Sequence, residues 1–154
     1  MSQRLDETVA GLLLAATENT PDRIAVVGQN DRLTFGSLWR AASAVASSVA
    51  NATPQDRPVA CLVAKTPIGM AGFIGCLMSG RTCIVLDPAY PDDRIAAILD
   101  DAKAATLLTD RAFPRTSVPC IALDDATTSD ADPPAPGDPT RPLAVYYTSG
   151  SSGR

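Results

Sequence analysis

The sequence predicts an α/β fold in which β-α-β units build a largely parallel sheet flanked by helices. Two observations carry this expectation. Short aliphatic, β-branched-rich runs recur at Val59–Val63, Thr82–Leu86, Thr106–Thr109, Cys120–Leu123 and Leu143–Tyr147, with the composition of buried strands. Helix-length segments, opened by proline, separate the first three of these runs.

The elements follow in order. Leu5, Val9, Leu12, Leu13 and Ala16 fall on one face of an amphipathic helix, which Thr20-Pro21 ends because a residue before proline is pushed out of the helical region. Ile24–Val27 and Arg32–Phe35 flank Gly28-Gln29-Asn30-Asp31, a hairpin signal. Thr34 is placed to cap a second helix with Leu38, Ala42, Val45, Ala46 and Val49 inward. Pro54 and Pro58 interrupt the chain before the buried strand Val59–Val63. Thr66-Pro67 opens the next helix, where Gly69, Gly72 and Gly75 leave one face nearly bare for close packing, at a helix-propensity cost of about 1 kcal/mol each.

After the strand Thr82–Leu86, Asp87-Pro88 turns the chain and Pro91 starts a helix, with Asp92 and Asp93 at its positive end and Ile95, Ile98 and Leu99 as its buried stripe. Thr106–Thr109 and Cys120–Leu123 are further strands. Residues 124–142 hold no Leu, Ile, Val or aromatic residue and are read as a solvated loop. Leu143 returns the chain to the sheet, and residues 143–154 are a strand followed by a hydroxyl- and glycine-rich stretch.

Composition narrows the chemistry. The 154 residues are 45% hydrophobic and 19% charged, a globular balance, and only 5% aromatic, so the core is aliphatic and alanine-rich. A net charge of −4 lacks the basic face that gripping nucleic acid requires. There is no histidine, which excludes Ser-His-Asp and Cys-His sites within the chain. Cys61, Cys76, Cys83 and Cys120 lie in apolar runs without C-x-x-C spacing and read as buried thiols, not as a zinc or disulfide framework. The charged residues 1–7 do not form a signal peptide, and the longest apolar stretch, residues 68–79, is shorter than the roughly 20 residues a membrane span needs. A cytoplasmic location without membrane contact is expected.

The chemistry-bearing segment is Tyr146-Tyr147-Thr148-Ser149-Gly150-Ser151-Ser152-Gly153-Arg154. A strand opening into glycines and short hydroxyls suits a phosphate cradle: glycine lets consecutive N–H groups converge on one anion, and hydroxyls add donors without bulk. By itself the stretch matches neither the P-loop pattern nor the dinucleotide pattern, and a flexible Gly/Ser tail has the same composition.

In context the chain resembles the adenylate-forming (AMP-binding) superfamily, particularly the amino-acid-activating adenylation domains of nonribosomal peptide synthetases. Residues 143–154 resemble the start of that family's phosphate-loop motif, which usually continues through Pro-Lys-Gly. Leu33-Thr34-Phe35-Gly36-Ser37-Leu38 is similar to the family's Leu-Thr-Tyr-x-Glu-Leu signature, with Ser37 in place of Glu. Residues 77–88 resemble the Leu-Lys-Ala-Gly-x-Ala-Tyr-x-Pro-Leu-Asp-Pro segment, and Tyr90-Pro91-Asp92-Asp93-Arg94-Ile95 with Leu99-Asp100-Asp101-Ala102 fits the same family.

The resemblance implies the N-terminal part of an adenylation domain over residues 1–154. The parent would be an ATP- and Mg2+-dependent ligase that activates a carboxylic acid, an amino or aryl acid, as acyl-adenylate and passes it to a thiol. The acceptor would be a phosphopantetheinyl carrier protein or CoA. Thr148, Ser149, Gly150, Ser151, Ser152 and Gly153 would hold the β- and γ-phosphates. No residue here is implied as catalytic or metal-binding. Because the motif is incomplete, the fragment alone is expected to be inactive and to bind no cofactor firmly. An acyl- or aryl-CoA ligase fragment and a non-catalytic packing module are the alternatives.

Overall fold

In the computed structural model, residues 8–128, 130–135 and 140–148 are described. The element order is α1 (Val9–Asn19), β1 (Ile24–Val27), β2 (Arg32–Thr34), α2 (Phe35–Ala52), β3 (Val59–Leu62), α3 (Pro67–Met78), β4 (Cys83–Val85), α4 (Asp92–Asp101), β5 (Thr106–Thr109), β6 (Cys120–Ala122), α5 (Leu123–Ala126) and β7 (Ala144–Tyr146). β1 and β2 form an antiparallel hairpin, while the main sheet has the order β6-β5-β3-β4-β7 with every neighbouring pair parallel.

Side-chain alternation sorts the sheet's two faces. Ala60, Leu62, Ile84, Leu86 and Leu107 pack with Ile95, Ile98 and Leu99 of α4 on one side. Val59, Cys61, Cys83 and Leu108 face the other side, with Val45 and Val49 of α2, Cys76 of α3 and Leu123 of α5. A third cluster seats α1 and the hairpin on the outer surface of α2 and α3 through Leu13, Leu38, Ala42 and Ala71.

Helix starts follow the local chemistry. Thr8, Thr34 and Thr66 each accept a hydrogen bond from the backbone N–H three residues on, and Pro67 occupies the first turn of α3. The glycine face of α3 is a packing requirement. A β-carbon on Gly75 would lie 2.6 Å from Val45 of α2, and one on Gly72 would lie 2.6 Å from Leu123 Cδ1.

Four expectations need correction. Leu12 is 62% exposed, whereas Leu13 is buried; successive helical residues point about 100° apart, and α1 meets α2 and α3 along too narrow a line to cover both. Cys120 is exposed because it begins the edge strand β6. Leu123 leaves the strand to start α5, so the polar loop begins after one helical turn that buries Ala126. Strand ends also retract by a residue or two from the apolar runs. Leu5 lies outside the described residues.

One side chain closes the amino-terminal edge of the sheet. Arg81 Nε and Nη2 donate to the carbonyls of Thr53 and Ala50 at the end of α2, and Nη1 donates to the Ser79 carbonyl. Burial pushes its pKa down from the usual arginine value. A guanidinium at a helix C-terminus answers both the orphan carbonyls and the negative end of the dipole. Arg81→Ala is expected to lower stability by about 1 kcal/mol, read as a shift of the urea midpoint at constant slope. An unchanged midpoint would show the guanidinium to be idle.

Candidate functional site

Because β3, β4 and β7 are parallel, their carboxyl ends open on one edge. The chain leaves β3 into α3 on one face and leaves β4 into α4 on the other. Diverging exits of this kind leave a crevice between adjacent strands, the usual ligand position in open α/β sheets. A cleft of about 310 Å³ sits there. Val63, Val85 and Phe73 line it with apolar surface, Tyr146 at the end of β7 and Tyr147 just after it add their rings, and Lys65 and Asp87 supply opposite charges.

Local contacts hold the rim. The Ala64 N–H donates to Asp110 Oδ2 at 2.6 Å, tying the β3–α3 turn to the end of β5. At Gly69 an added β-carbon would collide with the Ala64 carbonyl, so the first turn of α3 lies directly on this rim. Asp87 accepts from the Ala89 N–H at 2.9 Å and shapes the turn after β4. Asp92 and Asp93 pair with Arg111 and Arg115 at exposed positions. Exposed pairs contribute about 0–1 kcal/mol, in keeping with their expected place at a helix start.

β7 joins this edge through β4, with Val85 opposite Tyr146. The Tyr90 hydroxyl donates to the Tyr147 carbonyl at 3.2 Å, and the Tyr147 hydroxyl donates to Asp101 Oδ2 at 2.7 Å. That bond to Asp101, with burial and the carboxylate's charge adding to it, raises the Tyr147 pKa above the ordinary phenol value. Thr148 follows, exposed, at the carboxyl edge. Ser149, Gly150, Ser151, Ser152 and Gly153 lie outside the described residues.

The buried cysteines have no part in this edge beyond Cys61, which forms part of the cleft wall. Hydrogen bonds from Cys61 and Cys83, together with burial, hold the Cys76 thiol well above its usual pKa. A protonated thiol such as Cys76 in an apolar layer is a packing group. Among the described residues no group of three His, Cys, Asp or Glu is placed to hold a metal ion. Among them too, no helix is long and apolar enough to cross a membrane.

Sequence reasoning placed Thr148 just after a sheet strand but did not find the cleft at that edge. Lys65, Asp110 and the Tyr90–Tyr147–Asp101 contacts come from segments far apart in the chain. For Lys65 and Asp110 the only local sign was a position just beyond an apolar run, whereas Tyr90, Asp101 and Tyr147 lie in the segments that carry the family resemblance, with nothing there to say that they meet.

The comparisons with known proteins agree with this geometry. The family model described as AMP-binding enzyme matches residues 13–154. Tyrocidine synthase 3 of Brevibacillus parabrevis is 32% identical over 100% of this chain, which spans 2% of that protein. The AMB antimetabolite synthetase AmbB of Pseudomonas aeruginosa is 37% identical over 93% of the chain, which spans 12% of it. Among solved structures, the nonribosomal peptide synthetase FmoA3 in an AMPPNP-bound form superposes with a TM-score of 0.81 at 25% identity, covering 92% of this chain and 16% of that one. The o-succinylbenzoate coenzyme A synthetase MenE of Bacillus subtilis, in complex with AMP, shares the fold with a TM-score of 0.76 at 21% identity, over 92% of this chain and 39% of its own. The chain is thus a short stretch of the proteins it matches. With the family model covering nearly all its residues, and with a parallel sheet whose carboxyl edge is open, the chain belongs to the AMP-binding, adenylate-forming enzyme family.

Proposed function

We propose that residues 1–154 are the N-terminal part of an adenylation domain whose complete form activates an amino or aryl acid at the expense of ATP and hands the acyl group to a thiol. The acceptor that fits the relatives' names is a carrier-protein phosphopantetheine. The observation that carries the reading is the placement of β7: parallel to β4, it brings Thr148 to the same edge as the cleft and the amino end of α3.

In this reading Thr148, Ser149, Ser151 and Ser152 donate hydroxyl hydrogen bonds to the β- and γ-phosphates, and Gly150 and Gly153 keep the backbone free of β-carbons so that amides approach the same oxygens. The carboxylate substrate is ionised at neutral pH and needs no general base, which fits a chain without histidine. Holding the phosphates lowers the barrier by orientation and by placing donors where charge develops. Magnesium, when bound with ATP, supplies further charge neutralisation at the phosphates.

The test is ATP–pyrophosphate exchange. The complete polypeptide is expected to incorporate labelled pyrophosphate into ATP only when a matching carboxylic acid is present, and the chain by itself is expected to give none. A complete polypeptide that fails with every amino, aryl and aliphatic acid offered would overturn the ligase reading in favour of a packing module. Transfer to CoA, but not to a carrier-protein thiol, would favour a CoA ligase.

A further inference from the structure

We propose that Tyr90, Tyr147 and Asp101 are positioning residues for ATP, fixing the main chain at Tyr147 and so the placement of Thr148 where the chain leaves β7. This rests on the phosphate-binding role proposed above for residues 148–153.

The exit of β7 is otherwise weakly held. Among the described residues β7 has one sheet neighbour, β4, and its pairing ends at Tyr146, itself 64% exposed. The next carbonyl, that of Tyr147, accepts instead from the Tyr90 hydroxyl across 57 residues of sequence. The Tyr90 ring is packed against the α4-side core, and the Arg94 guanidinium lies over it at 4.1 Å from the ring centre. A cation on its face and the core against its body leave the phenol little freedom.

The second tie runs from the Tyr147 side chain. Its ring packs on the same core, and its hydroxyl donates to Asp101 at 2.7 Å, a charge-assisted bond. Asp101 closes α4, where the helix dipole disfavours a negative charge, and no basic residue in that last turn offsets it. A residue that breaks a local rule commonly has a use elsewhere; this carboxylate accepts from the tyrosine ahead of Thr148. Together the ties clamp one residue by its carbonyl and its side chain to a single helix–turn unit. Misplacement of about 1 Å at a reacting centre costs up to roughly 10²-fold in rate, so placement at this exit matters.

The experiment uses the complete polypeptide and acid-dependent ATP–pyrophosphate exchange. Tyr90→Phe and Tyr147→Phe keep both rings and remove only the donors. Each is expected to raise the KM for ATP by roughly three- to tenfold, with the KM for the acid and the melting temperature unchanged. Asp101→Ala should behave like Tyr147→Phe, whereas Asp101→Asn, which still offers an acceptor oxygen, should stay within about twofold of wild type. Phe variants with the wild-type KM for ATP, or with both KM values and the melting temperature moving in parallel, would overturn the proposal while leaving the ligase function standing. A wild type that catalyses no exchange would overturn both.

Discussion

Replacing Thr148 and Ser151 together by alanine in the complete polypeptide will lower acid-dependent ATP–pyrophosphate exchange by about 10²- to 10³-fold. Removing a single preorganised donor to developing charge has an effect of that size, because the donor acts where water is excluded and needs no reorganisation. The two hydroxyls are the first and fourth residues of the proposed cradle, so the double variant removes a donor from each half of it. The change should appear in kcat and in the KM for ATP, and the chain's melting temperature should not move, since Thr148 is exposed. Wild-type exchange in this variant would show that the phosphates are held elsewhere.

Gly75→Val will destabilise the protein by about 3 kcal/mol. Helix propensity alone points the other way, since glycine in a helix interior is about 1 kcal/mol worse than alanine and most other residues improve on it. Packing decides the sign. A β-carbon at Gly75 would sit 2.6 Å from Val45 Cβ and Cγ1 and 2.8 Å from the Ala42 carbonyl oxygen. A backbone carbonyl inside a helix has no rotamer to retreat into, so α2 and α3 must move apart and loosen the cluster that also holds Cys76 and Cys83. Gly36→Ala is the control. There the nearest atom is the Pro21 carbonyl at 3.3 Å, and the expected change is within about 1 kcal/mol of wild type. Urea unfolding measures both, and equal midpoints for the two variants would refute the close approach of α2 and α3.

Why some of this was legible in the sequence, and some not, follows from the range of the forces involved. Thr34, Thr66 and Pro67 announce helix starts because capping acts over three residues of chain. Val59–Leu62 and Cys83–Val85 announce strands because a run apolar on both faces is stable only when covered on both. Boundaries such as Leu123, which the apolar run assigns to a strand and the structure to α5, depend on what packs beneath them: Gly72 of α3 leaves the space that Leu123 fills. Cys120 reads as buried from its neighbours and is exposed because, among the described residues, its strand has no partner on one side.

From its order of residues alone this chain determined an α/β fold, the glycine face of α3, and a strand ending in hydroxyls and glycine with the composition of a phosphate cradle. Those are short-range matters of backbone geometry, polarity and hydrogen-bond reach. Only the tertiary structure decided that β7 lies beside β4, that Lys65, Asp87 and the tyrosines share one cleft, and that Asp101 answers Tyr147 across 46 residues. Those pairings arise from burying both faces of one sheet at once, a condition the whole chain must satisfy together and no local window contains.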